Sequence, residues 1–175
     1  QDLKSVTKKA YDELKSAKVK VIKSPDLKNL KLSRDTVIVD ALVGTGLKGK
    51  LRNAVKESVL KINELGIKYP VISLDVPSGM NSDTGYVEDV CVFADITATF
   101  VAQKRGCFTT SGKKVSGELH YSDLDIPKKL FSKVSSSCSV IDFEGLVNKV
   151  IYREEDAHKG VFGHAIIVGG DKGLG

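Results

Sequence analysis

Two β-branched runs, each ending in an aspartate, constrain this chain more than any other feature. Thr36–Asp40 reads TVIVD and Val71–Asp75 reads VISLD. Between them, Asn53–Leu65 sets Val55, Val59, Leu60 and Ile62 at helical spacing, with Gly66 at the expected C-cap. Strand, helix, strand is a βαβ crossover, which makes the strands parallel and brings their carboxyl ends to one sheet edge. Ligands of open α/β sheets bind outside those ends, so Asp40 and Asp75 are expected to face one site. Asp75 runs into Val76-Pro77-Ser78-Gly79, where proline fixes φ and glycine permits a close backbone approach. An acid on so rigid a stop reads as functional; the alternative is an aspartate that caps the next turn. With Thr45 and Ser78 nearby, the edge suits a hard cation, a polar substrate, or both.

Length and composition bound the rest. The 175 residues hold one domain, or one domain and part of another. With 41% hydrophobic and 28% charged residues, the chain reads as a soluble globular protein. A net charge of +5 suits a phosphate-bearing ligand, but the lysines are scattered, so a nucleic-acid partner is not expected. Cys91, Cys107 and Cys138 are widely spaced with no CxxC, which argues against a disulfide framework or zinc site. They fit a reducing compartment, and the cytoplasm is the expected location. With no long apolar run and no signal peptide, a membrane span is not expected. The chain opens in what looks like the middle of an α/β unit and stops in a glycine-rich loop. It is therefore expected to be a piece of a longer polypeptide.

Taken in order, Leu3, Val6, Ala10 and Leu14 predict a helix over Asp2–Ala17, followed by a short strand at Val19–Ile22 and a turn at Ser24-Pro25-Asp26. Leu27–Leu32 is ambiguous. Ala94–Val101 and Gly117–Tyr121 predict further strands, with a structural His120 in the second. Between them Gln103–Lys114 reads as a polar loop with Lys104 and Arg105 in solvent. Ser132–Ser139 is serine-rich, the best candidate for a domain boundary. Beyond it, Asp142 is a plausible N-cap for a helix carrying Leu146, Val147 and Val150. Ala165–Val168 begins a fresh strand after His158-Lys159-Gly160, closed by Gly169-Gly170. The expected class is α/β: an open, mainly parallel, doubly wound sheet with helices on both faces.

Gly44-Thr45-Gly46-Leu47-Lys48-Gly49 formally satisfies GxGxxG between a strand and a helix. Asp75 comes late for the matching acid, and the loop is longer than a nicotinamide-binding turn requires. A broader use survives. Backbone N–H groups here, with Lys48, Lys50 and Arg52 beside them, could hold a phosphate near a helix N-terminus. Asp40 either caps its loop or joins Ser78 to ligate a monovalent cation.

Three ordered motifs carry a resemblance: Asp40–Leu47 (DALVGTGL), Leu74–Gly79 (LDVPSG) and Ala94–Phe100 (ADITATF). Together with Gly117-Glu118-Leu119 and Asp125-Ile126-Pro127, they resemble the NAD(P)H-hydrate epimerase domain, also called the YjeF N-terminal domain. His158–Gly170 (HKGVFGHAIIVGG) is similar to the opening of the ADP/ATP-dependent NAD(P)H-hydrate dehydratase domain, which has a ribokinase-like fold. The implied layout is the later part of an epimerase domain over 1–131, a linker over 132–139 and the start of a dehydratase domain over 140–175.

The resemblance implies a Rossmann-like fold and nicotinamide-nucleotide repair. One activity would interconvert (R)- and (S)-NAD(P)H hydrate, and the other would dehydrate the S form using ADP or ATP. Asp75 matches the active-site acid, and Asp40 and Ser78 match potassium ligands. Gly44, Thr45, Gly46, Leu47, Lys48, Gly49 and Lys50 match the loop that holds the substrate's phosphates. A homo-oligomer is expected. The family's asparagine- and glycine-rich loop and most of the dehydratase domain are not in the sequence, so this stretch alone is expected to be inactive or nearly so. The alternative is an interaction module, since the same fold serves as a dimerisation or binding domain in an RNA-decapping enhancer. The epimerase match of Asp40, Asp75 and Ser78 favours the enzyme.

Overall fold

The computed structural model describes residues 3–22 and 31–147, together with Ile166. The turn at Ser24-Pro25-Asp26, most of Leu27–Leu32, Val150, and the His158–Gly170 motif apart from Ile166 lie outside the described residues. The chain divides into two compact units, residues 1–135 and 136–175, and the division falls within the serine-rich stretch.

The first unit contains α1 (Leu3–Ser16), β1 (Ile38–Asp40), α2 (Asn53–Gly66), β2 (Val71–Leu74) and β3 (Ile96–Phe100). A 3-10 turn (Arg105–Phe108), α3 (Thr110–Val115), β4 (Glu118–Ser122) and α4 (Lys128–Phe131) follow. The strands form one sheet in the order β1-β2-β3-β4. Every neighbouring pair is parallel, as the βαβ reading requires. In the second unit α5 (Phe143–Val147) is capped as expected, the Gly145 N–H donating to Asp142 Oδ1 at 2.5 Å.

Register explains where the core lies. Asp40, Ser73, Thr97 and Leu119 share one row across the four strands and project to the same face. On that face α2 inserts Val59, with Val55 and Ile62 beside it, against Val71, Val92 and Ile38. Leu60, also at helical spacing, turns outward. A second cluster of Val76, Met80, Cys91, Cys107 and Val115 packs with Phe108 and Leu119. Each fully buried apolar side chain of this size contributes roughly 1.5–3 kcal/mol. The other face is open: Val39 is 55% exposed and Leu74 37%. Parallel strands are usually covered on both sides, but the described residues supply the helical layer of only one.

Several local expectations need correction. Val19–Ile22 forms no strand, because alternation alone cannot hold a strand without a ladder; Val19 and Val21 stand half-exposed. Gln103–Lys114 is not simply a loop, since it holds the 3-10 turn and most of α3. The polar sequence hides these because burial comes from Cys107, Gly106 and Gly112, whose small volumes let the two elements touch. His120, expected to be structural, does lie in β4, where it is exposed and partners Glu118 at 3.0 Å. Gly66 is the last residue of α2, and Ile67 closes the helix in right-handed geometry. Its reason is space: a Cβ there would come within 3.0 Å of Val71 Cγ2.

Cys91 and Cys107 are buried free thiols, and Cys138 is an exposed one. Burial pushes the Cys91 thiol from its ordinary 9.0 up to about 12, with the Asp40 carboxylate adding to the effect. Burial also raises Cys107. Above pH 9 the unfolded thiols lose protons that the folded ones keep, so stability falls as pH rises from about 9 towards 12. The fall in melting temperature between pH 8 and pH 10.5 should therefore be smaller in Cys91→Ala than in the parent.

Candidate functional site

The site begins with the buried carboxylate of Asp40, which is 1% exposed at the end of β1. Such a group must have all its lone pairs engaged. Oδ2 accepts the Ser73 hydroxyl at 2.8 Å and the Ser78 N–H at 2.9 Å. Oδ1 accepts the Ser78 hydroxyl at 2.6 Å and the Leu42 N–H at 3.3 Å. The structure thus brings Asp40 and Ser78 into direct contact across 38 residues of sequence. Ser78 also accepts the Val43 N–H at 2.9 Å, tying the loop after β1 to the turn after β2.

All the oxygens gathered here are hard ones, the type a monovalent cation takes, and with four donors on Asp40 an ion would have to displace some of them. The Ser78 hydroxyl has one proton, which its shorter bond commits to Asp40. The Val43 carbonyl, 3.2 Å from the same hydroxyl, is its second and weaker acceptor. No ion pair among the described residues includes Asp40, so its charge has hydrogen bonds but no countercharge. Among those residues no cluster of three or more His, Cys, Asp or Glu side chains could hold a metal, so the soft-ligand sites of transition metals are not built here.

Asp75 follows β2 directly and is 27% exposed. Its φ of 72° is left-handed, a region non-glycine residues enter at a cost and in which Asp is among the best tolerated. That turn re-aims the residue, while its N–H still donates to Ala98 O at 2.6 Å. Its Oδ1 accepts the Phe100 N–H at 3.3 Å and the ammonium of Lys104. Gly79 makes the turn possible: its φ is 105°, and a Cβ there would collide with the Val90 carbonyl.

Lys104 is what the sequence reading missed. Rather than lying in solvent, its side chain is 16% exposed and pairs with Asp75 while donating to Phe100 O at 2.6 Å. The available signal was its position four residues past the end of β3, at the same edge as the two aspartates. Arg105 does remain at the surface, its Nε donating to Asp83 O at 2.7 Å.

The loop after β1 supplies the third part. Gly44, Thr45, Gly46, Lys48, Gly49 and Lys50 are exposed, whereas Leu47 turns inward to anchor the loop on the α2 cluster. A Cβ on Gly44 or Gly46 would meet nothing within 4 Å, so a ligand could approach that backbone closely. A cavity of about 480 Å³ opens between this loop and the start of α2, lined by Gly46, Lys48, Lys50 and Arg52 among others. Arg52 at the helix N-cap makes no side-chain capping bond, leaving the positive end of a 14-residue helix available to an anion. A depression of about 550 Å³ along α1 lies between Lys8, Lys9, Asp12, Glu13 and Ser16. It is only a gap between long charged side chains of one helix.

No helix among the described residues is long and apolar enough to cross a membrane. The family model for YjeF-related protein N-terminus matches residues 1–106. A bifunctional NAD(P)H-hydrate repair enzyme of Coxiella burnetii is 39% identical over 144 residues, covering 82% of this chain and 29% of that protein. Its namesake from Leishmania infantum is 37% identical over 145 residues, covering 79% and 25%, and that of Escherichia coli is 34% identical over 139 residues, covering 78% and 26%. The chain thus spans less than a third of the length of these curated relatives. By the match over more than half its length, the chain belongs to the YjeF-related N-terminal family.

Proposed function

We propose that this chain forms part of an NAD(P)H-hydrate epimerase. In the full-length protein, a following domain would dehydrate the S form using ADP or ATP. The observation that carries the reading is Asp75, a half-buried carboxylate on a left-handed turn at the sheet edge where α/β proteins bind ligands. The names of the relatives support the substrate class.

The residues suit the chemistry. The substrate carries a hydroxyl on the carbon next to the ring nitrogen. Protonated Asp75 gives its proton to that hydroxyl, the C–O bond breaks, water leaves, and the nitrogen lone pair stabilises the ring cation. Water then adds to the opposite face and returns a proton to the Asp75 carboxylate, which inverts the carbon. One side chain serves both faces if the planar cation turns about its bond to the ribose between the steps. Acid–base help of this kind is worth about 10²–10⁴-fold. Asp40, Ser78 and the Val43 carbonyl would hold potassium, which supplies a fixed positive charge that orients oxygens. The loop Gly44–Lys50 and the start of α2 would hold the substrate's phosphates.

The reading is tested by giving the full-length protein one purified epimer, with no ADP or ATP, and following the appearance of the other. Interconversion well above the uncatalysed rate is expected; none above it would refute the assignment. Removing charge from the loop should affect binding rather than chemistry. Lys48→Gln/Lys50→Gln is expected to raise KM about tenfold and change kcat less than threefold, because exposed phosphate contacts are made equally in ground and transition states.

A further inference from the structure

We infer that Lys104 is the positioning residue of this reaction: its ammonium fixes Asp75 so that one defined carboxyl oxygen, Oδ2, carries the travelling proton. The inference rests on the reading of Asp75 as the acid–base group. Both side-chain hydrogen bonds of Asp75 among the described residues converge on Oδ1, from Lys104 Nζ and the Phe100 N–H. None goes to Oδ2, and the side chain is partly open to solvent.

That asymmetry has a chemical consequence. A neutral carboxyl whose Oδ1 accepts two hydrogen bonds keeps its proton on Oδ2, and the ionised form keeps its free basic oxygen there too. The same atom therefore gives the proton to the leaving hydroxyl and takes one back from the incoming water. Lys104 faces the negative charge that appears on Asp75 when the C–O bond breaks. No proton is gained or lost over the cycle.

Lys104 is itself held for this task. Its second bond, to Phe100 O, ties the ammonium to the last residue of β3. The Asp75 N–H meanwhile donates to Ala98 O on the same strand. Acid and ammonium are thus both referenced to one rigid element, which keeps a strained residue at a fixed aim. A lysine serving solubility would extend its head into water, whereas this one is drawn in to the ion pair and is 16% exposed.

The test uses the full-length protein and the single-epimer assay. Lys104→Met is expected to lower kcat about 100-fold with KM within about threefold, the pattern of an interaction that matters in the transition state. Lys104→Arg, which keeps a cation, should recover to within about tenfold of the parent, and Lys104→Gln replaces Lys104→Met if the latter does not fold. Combining Lys104→Met with Asp75→Asn should give no further loss beyond Asp75→Asn, since the lysine acts through the aspartate. A charge-removing variant within threefold of the parent kcat overturns the inference. So does a double variant slower than Asp75→Asn by the full single-variant factor, the mark of a merely structural role. If Asp75→Asn alone keeps the parent rate, the acid–base reading fails instead, so the two failures are distinguishable.

Discussion

Asp75→Asn in the full-length protein is expected to slow epimer interconversion by about 10²–10⁴-fold, the range typical of a lost acid–base group. The substitution isolates the proton chemistry. Asparagine has nearly the same shape, is tolerated at a positive φ such as the 72° found here, and its amide oxygen can still accept from Phe100 and Lys104. It cannot take up or release a proton at neutral pH. The melting temperature should therefore stay within a few degrees while kcat collapses and KM changes little. A rate close to the parent's would mean that the carboxylate performs no proton transfer.

Asp40→Ala should act on stability first. Four donors converge on the Asp40 carboxylate: two hydroxyls and two backbone N–H groups. Truncation leaves the Ser73 hydroxyl and the Ser78 N–H without their acceptor in a site closed to water, while the Ser78 hydroxyl keeps the Val43 carbonyl at 3.2 Å. Unmaking a buried network of this kind costs about 3–5 kcal/mol. The loss should appear as a lower midpoint in urea unfolding. Asp40→Asn, which keeps the shape and one acceptor oxygen, should lose less. An Asp40→Ala cost below about 1 kcal/mol would show that the network contributes little to the fold. The same residue joins β1 to the turn after β2 and, on the proposed reading, would also offer its charge to a cation.

The sequence made some of this plain and hid the rest, for physical reasons. β2 over Val71–Leu74 and the helix from Asn53 were legible because their periodicities are local. The parallel pairing followed from a crossover too long for a hairpin. Asp40 and Ser78 were readable as partners only through the topology, since 38 residues separate them. Lys104 offered only its place just past β3 as a signal: a lysine in a polar run looks solvated until a turn folds it back onto Asp75, 29 residues earlier. The left-handed turn at Asp75 left no local trace, since proline and glycine follow it rather than occupy it. The helix at Thr110–Val115 was hidden because its packing rests on Gly112 and on Val115, too few apolar positions to show a periodicity.

On the proposed reading, Asp75 inverts the carbon by breaking and remaking its C–O bond with water. The most direct measurement is oxygen exchange. One purified epimer is incubated with the full-length protein in ¹⁸O-labelled water without ADP or ATP, and each epimer is then weighed by mass spectrometry. The newly formed epimer is expected to carry one solvent oxygen, and Asp75→Asn to suppress labelling and inversion together. Inverted product retaining its original oxygen, or labelled inversion at the parent rate in Asp75→Asn, would contradict that reading.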